Sequence, residues 1–328
     1  MPNYRSIVAA VDFSPCSAVA LAEAMRISKW SGAALHVVHV IDTLVVIEIE
    51  EALTDMQKGI REGLVSDAEA AWRTFAATVP GAAGLPIEVA INNRIVGIQS
   101  RARVDKADLI VLGAYGDRSP DLGVGSVATA CVRKSACDVL LVRETRAKAG
   151  APAEPFRTVV AAVDFSPTSL RALERAAGIA AADGAALHVL HVFSAPWQRL
   201  HYRAPTPETA PSFKKQYLDA LSGRLAEFAK PVLALHPGVA ATLAVHEHPG
   251  HRSGIVDYAT GVSADLIALG TRGRTNVRDI LLGSTAERAL AESRCSVLAV
   301  KPEGFDHPIA HDAGSESASQ GTRMKSDL

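Results

Sequence analysis

The sequence is poor in aromatic residues and has no excess of charge of either sign. Phe, Trp and Tyr make up 5% of the 328 residues, and 34 basic side chains balance 35 acidic ones to a formal net charge of −1. A nucleic-acid-binding surface needs basic side chains along the phosphates or aromatic side chains on which bases stack. The composition therefore argues against a nucleic-acid partner.

The chain also lacks long hydrophobic runs. No stretch of about 18 consecutive apolar residues occurs, and the first ten residues, MPNYRSIVAA, lack the pattern of a secretory signal. We therefore expect a cytoplasmic protein without a membrane partner. Cys16, Cys131, Cys137 and Cys295 form no C-x-x-C pair, so buried free thiols are expected in place of a disulfide framework.

The strongest pattern is an internal repeat of almost domain length. IVAAVDFSP at 7–15 returns as VVAAVDFSP at 159–167, and GAALHVVHV at 32–40 returns as GAALHVLHV at 184–192. This period is too long for a solenoid and predicts a tandem duplication of one fold. We expect domains at 1–144 and 156–302, joined by an Ala- and Pro-rich linker at 145–155 and followed by a disordered tail at 303–328.

Each copy alternates short apolar runs with helical patterns. In the second copy the runs are TVVAAVD, AALHVLHV, ATLAVHE, ADLIALG and CSVLAVK, and helices are expected near Pro167, within 207–213, near Gly250 and at Ser284. Apolar strands separated by amphipathic helices predict right-handed β-α-β units and a parallel sheet covered on both faces. The fold class is therefore α/β, with two tandem doubly wound domains of five strands and four helices each. In the first copy a helix is expected over 51–79.

A glycine-rich loop connects the fourth strand of the second copy to a helix. The segment LGTRGRTNVRDILLGS, 269–284, follows ADLIALG and precedes the helical pattern STAERALAES. Glycines let the backbone approach a ligand, and N–H groups at a helix start suit phosphate oxygens. Doubly wound sheets bind ligands beyond the carboxyl ends of their strands, where Asp164 is also expected. The alternative is a mobile surface loop with solvated arginines.

Three motifs lie at corresponding strand ends of the duplicated frame. They are VDFSP after the first strand, LHV at the end of the second, and a G-x2-G-x9-G-[ST] loop after the fourth. Together they resemble the universal stress protein family in its tandem two-domain form. The resemblance implies a sheet ordered 3-2-1-4-5 in each domain and pairing of the domains through their last strands. It also implies an adenine nucleotide, ATP, ADP or AMP, with Mg²⁺ as a candidate companion ion.

Carried over to this sequence, the resemblance implies a nucleotide site in the second copy. Asp164 would face the adenine and ribose end, and the backbone of Val192 would hydrogen-bond the adenine edge. Asp164 has a structural alternative, as a turn residue before the Ser-Pro helix start. The loop and the start of the last helix would hold the ribose and phosphates through Gly270, Arg272, Gly273, Arg274, Gly283, Ser284 and Thr285.

The first copy keeps the pattern with three changes. Eight residues separate Gly116 from Gly125, where the second loop has nine, Asp117 replaces the basic residue Arg274, and Pro120 stiffens the loop, with Arg118 as a candidate compensating charge. An unneutralised carboxylate beside a phosphate costs binding energy. We therefore expect a weaker or empty first site. Its residues would be Asp12, Val40, Gly113, Gly116, Gly125 and Ser126.

Two groups of histidines need separate interpretations. His246, His248 and His251 are spaced as candidate metal ligands, with an exposed polar strand end as the alternative. His39 and His191 recur with the repeat at the ends of the second strands, where a packing role is expected.

A regulatory module of the stress response that binds an adenine nucleotide is the function that the resemblance implies. The sequence has no Walker loop and no nucleophile elbow, so any enzyme activity is expected to be at most slow ATP hydrolysis or autophosphorylation. A nucleotide-free scaffold or metal-binding interaction protein is the other alternative. An intramolecular pseudo-dimer is expected, and a homodimer and an unidentified regulatory protein partner remain open.

Overall fold

A computed structural model describes residues 4–53, 59–116, 123–144, 149–196, 211–272 and 283–305. Strands and helices alternate along these ranges. The strands are β1 (Ser6–Ala10), β2 (Ala34–Asp42), β3 (Glu88–Asn92), β4 (Leu109–Gly113), β5 (Asp138–Val142), β6 (Thr158–Ala162), β7 (Ala186–Phe193), β8 (Ala241–Glu247), β9 (Leu266–Gly270) and β10 (Ser296–Val300). The helices are α1 (Pro15–Ser31), α2 (Thr43–Ala52), α3 (Ile60–Thr78), α4 (Arg94–Val104), α5 (Ser126–Lys134), α6 (Pro167–Asp183), α7 (Pro211–Ala234), α8 (His251–Gly261) and α9 (Ser284–Glu292).

The ten strands form one continuous sheet in the order β3-β2-β1-β4-β5-β10-β9-β6-β7-β8. Neighbouring strands are parallel within each half, and the antiparallel pair β5 and β10 joins the halves, with Leu298 opposite Leu140. The α/β class with two doubly wound halves is therefore confirmed. No helix within the described ranges is long and apolar enough to cross a membrane.

Helices cover both faces of the sheet. Strands β1, β5 and β10 are buried along their whole length, as parallel strands between two helical layers must be. Leu109 and Val159 face a core formed with α1, α3, α6 and α7, whereas Ile110 and Val160 face one formed with α4, α5, α8 and α9. The apolar runs therefore read as continuous because both of their sides are buried.

The turns that lead into α1 and α6 have the same main features. Ser14 and Ser166 cap α1 and α6 with their side chains, and each is followed by a proline in the first helical turn. Phe13 and Phe165, which precede the caps, both adopt φ of 64°. This backbone conformation is uncommon for a bulky residue, and its recurrence shows that the two turns share one geometry.

The helix expected over 51–79 is wrong in extent. Helix α2 ends at Ala52, and α3 begins at Ile60. The described part of the first half therefore has five helices, α1 to α5, where four were expected. The Asp42 carboxylate accepts a hydrogen bond from the Leu44 N–H at 3.2 Å and so caps α2. The run LVVIEIE is rich in β-branched residues, which are typical of strands, and its pattern therefore hid the helix.

Buried ion pairs connect the halves on one side of the sheet. Arg26 of α1 pairs with Glu23 on its own helix and with Asp183 at the end of α6, and both carboxylates are almost fully buried. Asp183 also accepts the Phe156 N–H at 2.9 Å. These two carboxylates raise the pKa of Arg26 despite its burial. The guanidinium is thus the shared partner of charges from both halves.

A second set of buried polar groups lies at the β5–β10 junction. Asp138 accepts hydrogen bonds from Arg175 Nε at 3.0 Å and from the Lys301 N–H at 2.9 Å. Lys301, just beyond β10, donates from Nζ to the Val132 carbonyl at 2.5 Å. Burial lowers the pKa of Lys301 to about 8. Buried charged side chains therefore lie beside the apolar residues that pair β5 with β10.

Candidate functional site

The candidate site of each half lies where the strand order reverses. In the second half β6 lies between β7 and β9, and in the first half β1 lies between β2 and β4. The chain leaves β6 through α6 toward β7, and it leaves β9 toward β10 on the other side. A crevice opens between two such diverging connections, beyond the carboxyl ends of the strands.

The loop after β9 returns to its own start. The Thr271 N–H donates to the Val300 carbonyl at 2.9 Å, which fixes the beginning of the loop to β10. The Gly283 N–H then donates to the Thr271 carbonyl at 2.9 Å, which fixes its end. Residues 273–282, with Gly273 and Arg274, lie outside the described residues. The described ends are thus held together at the crevice.

The helix that follows this loop begins without a side-chain cap. Gly283 is the N-cap residue of α9, Ser284 begins the helix, and no side chain hydrogen-bonds to its first turn among the described residues. Helix α6 has its start satisfied by Ser166. The first N–H groups of α9 therefore form the kind of helix start that attracts phosphate oxygens. Thr285 lies in this turn and is half-buried.

Close packing explains two of the loop glycines. A Cβ atom at Gly270 would lie 2.9 Å from Thr168 Cγ2 and 3.2 Å from the Arg272 carbonyl oxygen. A Cβ atom at Gly283 would lie 3.2 Å from the Thr271 carbonyl oxygen. The two glycines allow the backbone on both sides of the crevice to pack without intervening side chains.

Asp164 lies in the turn before α6. Its Oδ1 atom accepts a hydrogen bond from the Ser166 N–H at 3.0 Å. In the first half Asp12 Oδ1 accepts from the Ser14 N–H at 3.1 Å and from the Ser14 hydroxyl at 2.5 Å. The structural alternative, a turn residue before the helix start, is therefore observed in both halves. The contact of Asp164 with a ligand stays a prediction.

Val192 is near the end of β7, and its carbonyl has a partner within the chain. His251 Nδ1 lies 2.9 Å from the Val192 oxygen and must be the donor because a carbonyl only accepts. Gly254 of α8 packs on the valine side chain, since a Cβ atom there would lie 2.7 Å from Val192 Cγ1. Gly97 makes the equivalent contact with Val40.

Gly254 is therefore a site residue that the sequence analysis missed, although glycine recurs at the same place in α4 as Gly97. His251 was singled out as a candidate metal ligand, and its contact with Val192 was not expected. The repeat gave no signal for this contact, since Arg94 stands at the place of His251 in the first half and pairs with Asp42, its Nε atom 3.1 Å from the carboxylate.

Arg272 has an aromatic neighbour from beyond β10. Its guanidinium lies 4.6 Å from the centre of the Phe305 ring, and Lys301 Nζ lies 4.6 Å from the same ring. Such stacking is worth about 0.5–1 kcal/mol at a partly exposed site. Phe305 belongs to the segment expected as a tail, and residues 306–328 lie outside the described residues.

The first half repeats the backbone of the site. The Gly125 N–H donates to the Ala114 carbonyl at 2.8 Å, as Gly283 does to Thr271. Gly116 lies directly against Asp12, because a Cβ atom there would lie 2.6 Å from the aspartate Oδ2. Gly113 packs on Cys16, since a Cβ atom at Gly113 would lie 3.0 Å from the cysteine sulfur. Ser126 begins α5. Residues 117–122, with Asp117, lie outside the described residues.

The recurring histidines have the packing role that was expected. His39 Nδ1 lies 2.9 Å from the Val11 carbonyl, and His191 Nδ1 lies 2.9 Å from the Val163 carbonyl. Their rings pack against Phe13 and Phe165, each with ring centres 4.4 Å apart. Burial lowers the pKa of His191, which keeps this ring neutral at pH 7.

The three candidate metal ligands do not converge. The rings of His246 and His248 lie 6.1 Å apart, and His248 uses Nε2 for Asp257 at 3.1 Å and Nδ1 for the Gly250 carbonyl at 2.7 Å. His251 turns away toward Val192. In the part of the chain that the structure describes, no three His, Cys, Asp or Glu side chains are grouped to hold a metal ion.

The fold and the site define a tandem doubly wound α/β protein with a closed glycine loop at each topological switch point. A model of the universal stress protein family matches residues 3–143 and again 155–301. The chain belongs to the universal stress protein family, with two family domains in tandem.

Relatives of known name agree with this membership. The universal stress protein A homolog 1 of Coxiella burnetii is 28% identical over 142 residues, which cover 43% of this chain and 96% of the relative. A Thermus aquaticus universal stress protein, named for the QAH/OAS sulfhydrylase 3′ region, is 33% identical over 150 residues, 44% of this chain and 99% of the relative. Each relative therefore matches about half of this chain.

A solved structure supports the arrangement of the whole chain. The crystal structure of a universal stress protein from Archaeoglobus fulgidus superposes with a TM-score of 0.60 at 20% sequence identity, covering 90% of this chain and 96% of that one. At this identity the likeness concerns the fold alone. It extends over both halves of the sheet.

Proposed function

We propose that this protein is a regulatory module of the stress response that binds an adenine nucleotide in its second half. The observation that carries the proposal is the closed loop between β9 and α9. The Gly283–Thr271 hydrogen bond holds the uncapped start of α9 at the carboxyl end of β9, where Gly270 lets the backbone approach a ligand. Backbone N–H groups and the helix dipole at such a start favour phosphate.

The adenine end of the proposed site lies at the Val192 carbonyl, which accepts a hydrogen bond from His251. A carbonyl oxygen has two lone pairs, so an adenine amino group can donate to Val192 beside the imidazole N–H. Asp164 would lie at the ribose end, and Mg²⁺ would arrive with the phosphates of ATP.

The first half is proposed as the weaker site. Its loop is shorter by a residue and carries Asp117, and Gly116 lies against the Asp12 carboxylate. An acidic group about 4 Å from a phosphate costs on the order of 1–4 kcal/mol. We therefore expect one tight adenine-nucleotide site per chain and a second site at least about tenfold weaker.

Titration calorimetry of the full chain with ATP, after extraction of any copurified nucleotide, tests this proposal. Gly283→Val should abolish the tight site because a side chain there crowds the Thr271 carbonyl and the phosphate approach. Gly125→Val is the matched control in the first half, where a Cβ atom would lie 3.6 Å from Ala114 oxygen. It should leave the tight site unchanged, and thermal unfolding of both variants should show that they fold.

Two results would contradict the proposal. Equal affinities at two sites would show that the differences between the loops carry no energy. Loss of the tight site in Gly125→Val would show that the first half is the working site. Native mass spectrometry of freshly purified protein identifies which adenine nucleotide is retained.

A further inference from the structure

A cavity of about 380 Å³ lies beside the end of β7, between the sheet and α7. His191 and Phe193 of β7 line it from the sheet, Phe165 from the turn before α6, and Tyr217 and Arg224 from α7. Their neighbour Val192 points to the opposite face, into the core with α8 and α9. The cavity therefore lies mainly on the α7 side of the sheet, and His251 at the start of α8 completes its lining beyond the end of β7.

The first half is built differently beside its own second strand. Helix α2 directly follows β2, packs against β2, β3 and α3, and buries Val46 completely. Phe75 of α3 and Phe228 of α7 pack on Phe13 and Phe165 in the same way, with ring centres 5.4 and 5.5 Å apart. Ala71 lies four residues before Phe75 in the first half, whereas Arg224 lies four residues before Phe228 in the second half. The cation on the cavity is thus specific to the second half.

Arg224 places a positive charge at an aromatic wall. Its guanidinium stacks on Phe165, with the central carbon 4.2 Å from the ring centre. Within the described ranges no carboxylate lies within ion-pair distance of Arg224. Tyr217 and Phe193 pack on each other across the cavity wall, with ring centres 5.7 Å apart. A flat apolar group with a negative charge matches these walls.

Two imidazoles add polar atoms to the same cavity. His191 and His251 each use Nδ1 for a carbonyl, of Val163 and Val192 respectively, at 2.9 Å. Because Nδ1 must donate in both rings, Nε2 is the remaining polar atom of each. In the neutral ring of His191 this atom accepts a hydrogen bond. A hydroxyl or N–H group on a ligand therefore has a partner there.

We propose that this cavity binds a planar organic anion of the aromatic carboxylate class. The ring system lies among Phe165, Phe193 and Tyr217, and the carboxylate pairs with Arg224. A cavity of about 150 Å³ admits a single benzene ring, so this one has room for two fused rings. The proposal does not rest on nucleotide binding, because the glycine loop contributes no residue to the cavity and only His251 is shared with the proposed adenine end.

Binding of naphthalene-2-carboxylate to the full chain tests the proposal, with naphthalene-2-carboxamide as the uncharged ligand of the same shape. We expect one carboxylate site per chain, bound at least about tenfold more tightly than the amide. Arg224→Gln should remove this preference. Lys230→Gln, which removes a cation from the same helix outside the cavity, should preserve it.

Two further variants test whether the carboxylate occupies this cavity and not the crevice at the glycine loop. Leu221→Trp fills the cavity from α7 and should weaken both ligands, with thermal unfolding as the check on folding. Gly283→Val should bind the carboxylate as the unmodified chain does, even though nucleotide binding is lost. The proposal is overturned if the carboxylate does not saturate below about 1 mM, if the amide binds equally, or if Arg224→Gln and Lys230→Gln behave alike.

Discussion

The buried lysine at the junction of the halves should make stability depend on pH in a defined direction. Lys301 is 2% exposed, and its ammonium group is surrounded by protein with the Val132 carbonyl as its hydrogen-bond acceptor. Burial lowers its pKa from 10.5 to about 8. Such a shift corresponds to a cost of about 3 kcal/mol for keeping the folded lysine charged.

The direction of the pH dependence follows from the protons bound in each state. Below pH 8 the folded and unfolded chains both carry the proton, and the cost is fully present. Between about pH 8 and 10.5 the unfolded chain binds more protons than the folded one, so the free energy of unfolding rises with pH. Lys301→Met removes this contribution while keeping a side chain of similar length. Its stability relative to the unmodified chain should therefore fall by about 1–3 kcal/mol between pH 7.5 and 10.

Urea unfolding at several pH values, followed by far-ultraviolet circular dichroism under reducing conditions, measures this difference. Burial raises the pKa of Cys131 and Cys137 to about 12, so both proteins lose stability above pH 9 as the unfolded thiols ionise. This loss is common to the two chains and cancels in the difference. Exposed Lys29→Met controls for the loss of one lysine. A difference between Lys301→Met and the unmodified chain that is constant across the range would refute the reasoning.

Two other substitutions test how the halves and the extra helix are held. Arg26→Met leaves the Glu23 and Asp183 carboxylates buried without their shared cation, so urea unfolding at pH 7 should show a loss of about 3–5 kcal/mol. A loss below about 1 kcal/mol would contradict this. Asp42→Ala removes the cap of α2 and should speed amide hydrogen exchange in α2 by about fivefold or more, whereas Asp42→Ser should preserve protection.

Strand positions were predictable from the sequence because of how a parallel sheet is buried. The apolar runs of the second copy coincide with β6 to β10. The inner strands β6, β9 and β10 are covered on both faces and are almost wholly apolar, whereas the edge strand β8 is partly exposed and carries polar residues. The internal repeat of the sequence predicted two domains, and the family model matches the chain twice. Helix α2 was missed because β-branched residues favour strands locally, whereas here the Asp42 cap and packing against α3 outweigh that preference.

The site was predictable only in its backbone. Glycines mark where the chain must pass close to itself, and the contacts of Gly270 and Gly283 follow from their places in the motif. The hydrogen bond from His251 to Val192 joins residues far apart in sequence, and the spacing of His251 with His246 and His248 had suggested a metal site instead. Contacts such as that of Phe305 with Arg272 likewise depend on tertiary structure.

The duplication separates what the fold requires from what each half can vary. The hydrogen bonds that close the loops, Gly125 to Ala114 and Gly283 to Thr271, are the same in both halves and involve only backbone atoms. The differences concern side chains and insertions at the crevice, with α2 beside β2 and an aromatic cavity beside β7. The backbone that closes the loops is thus common to both halves, and the halves differ in the side chains and elements around it.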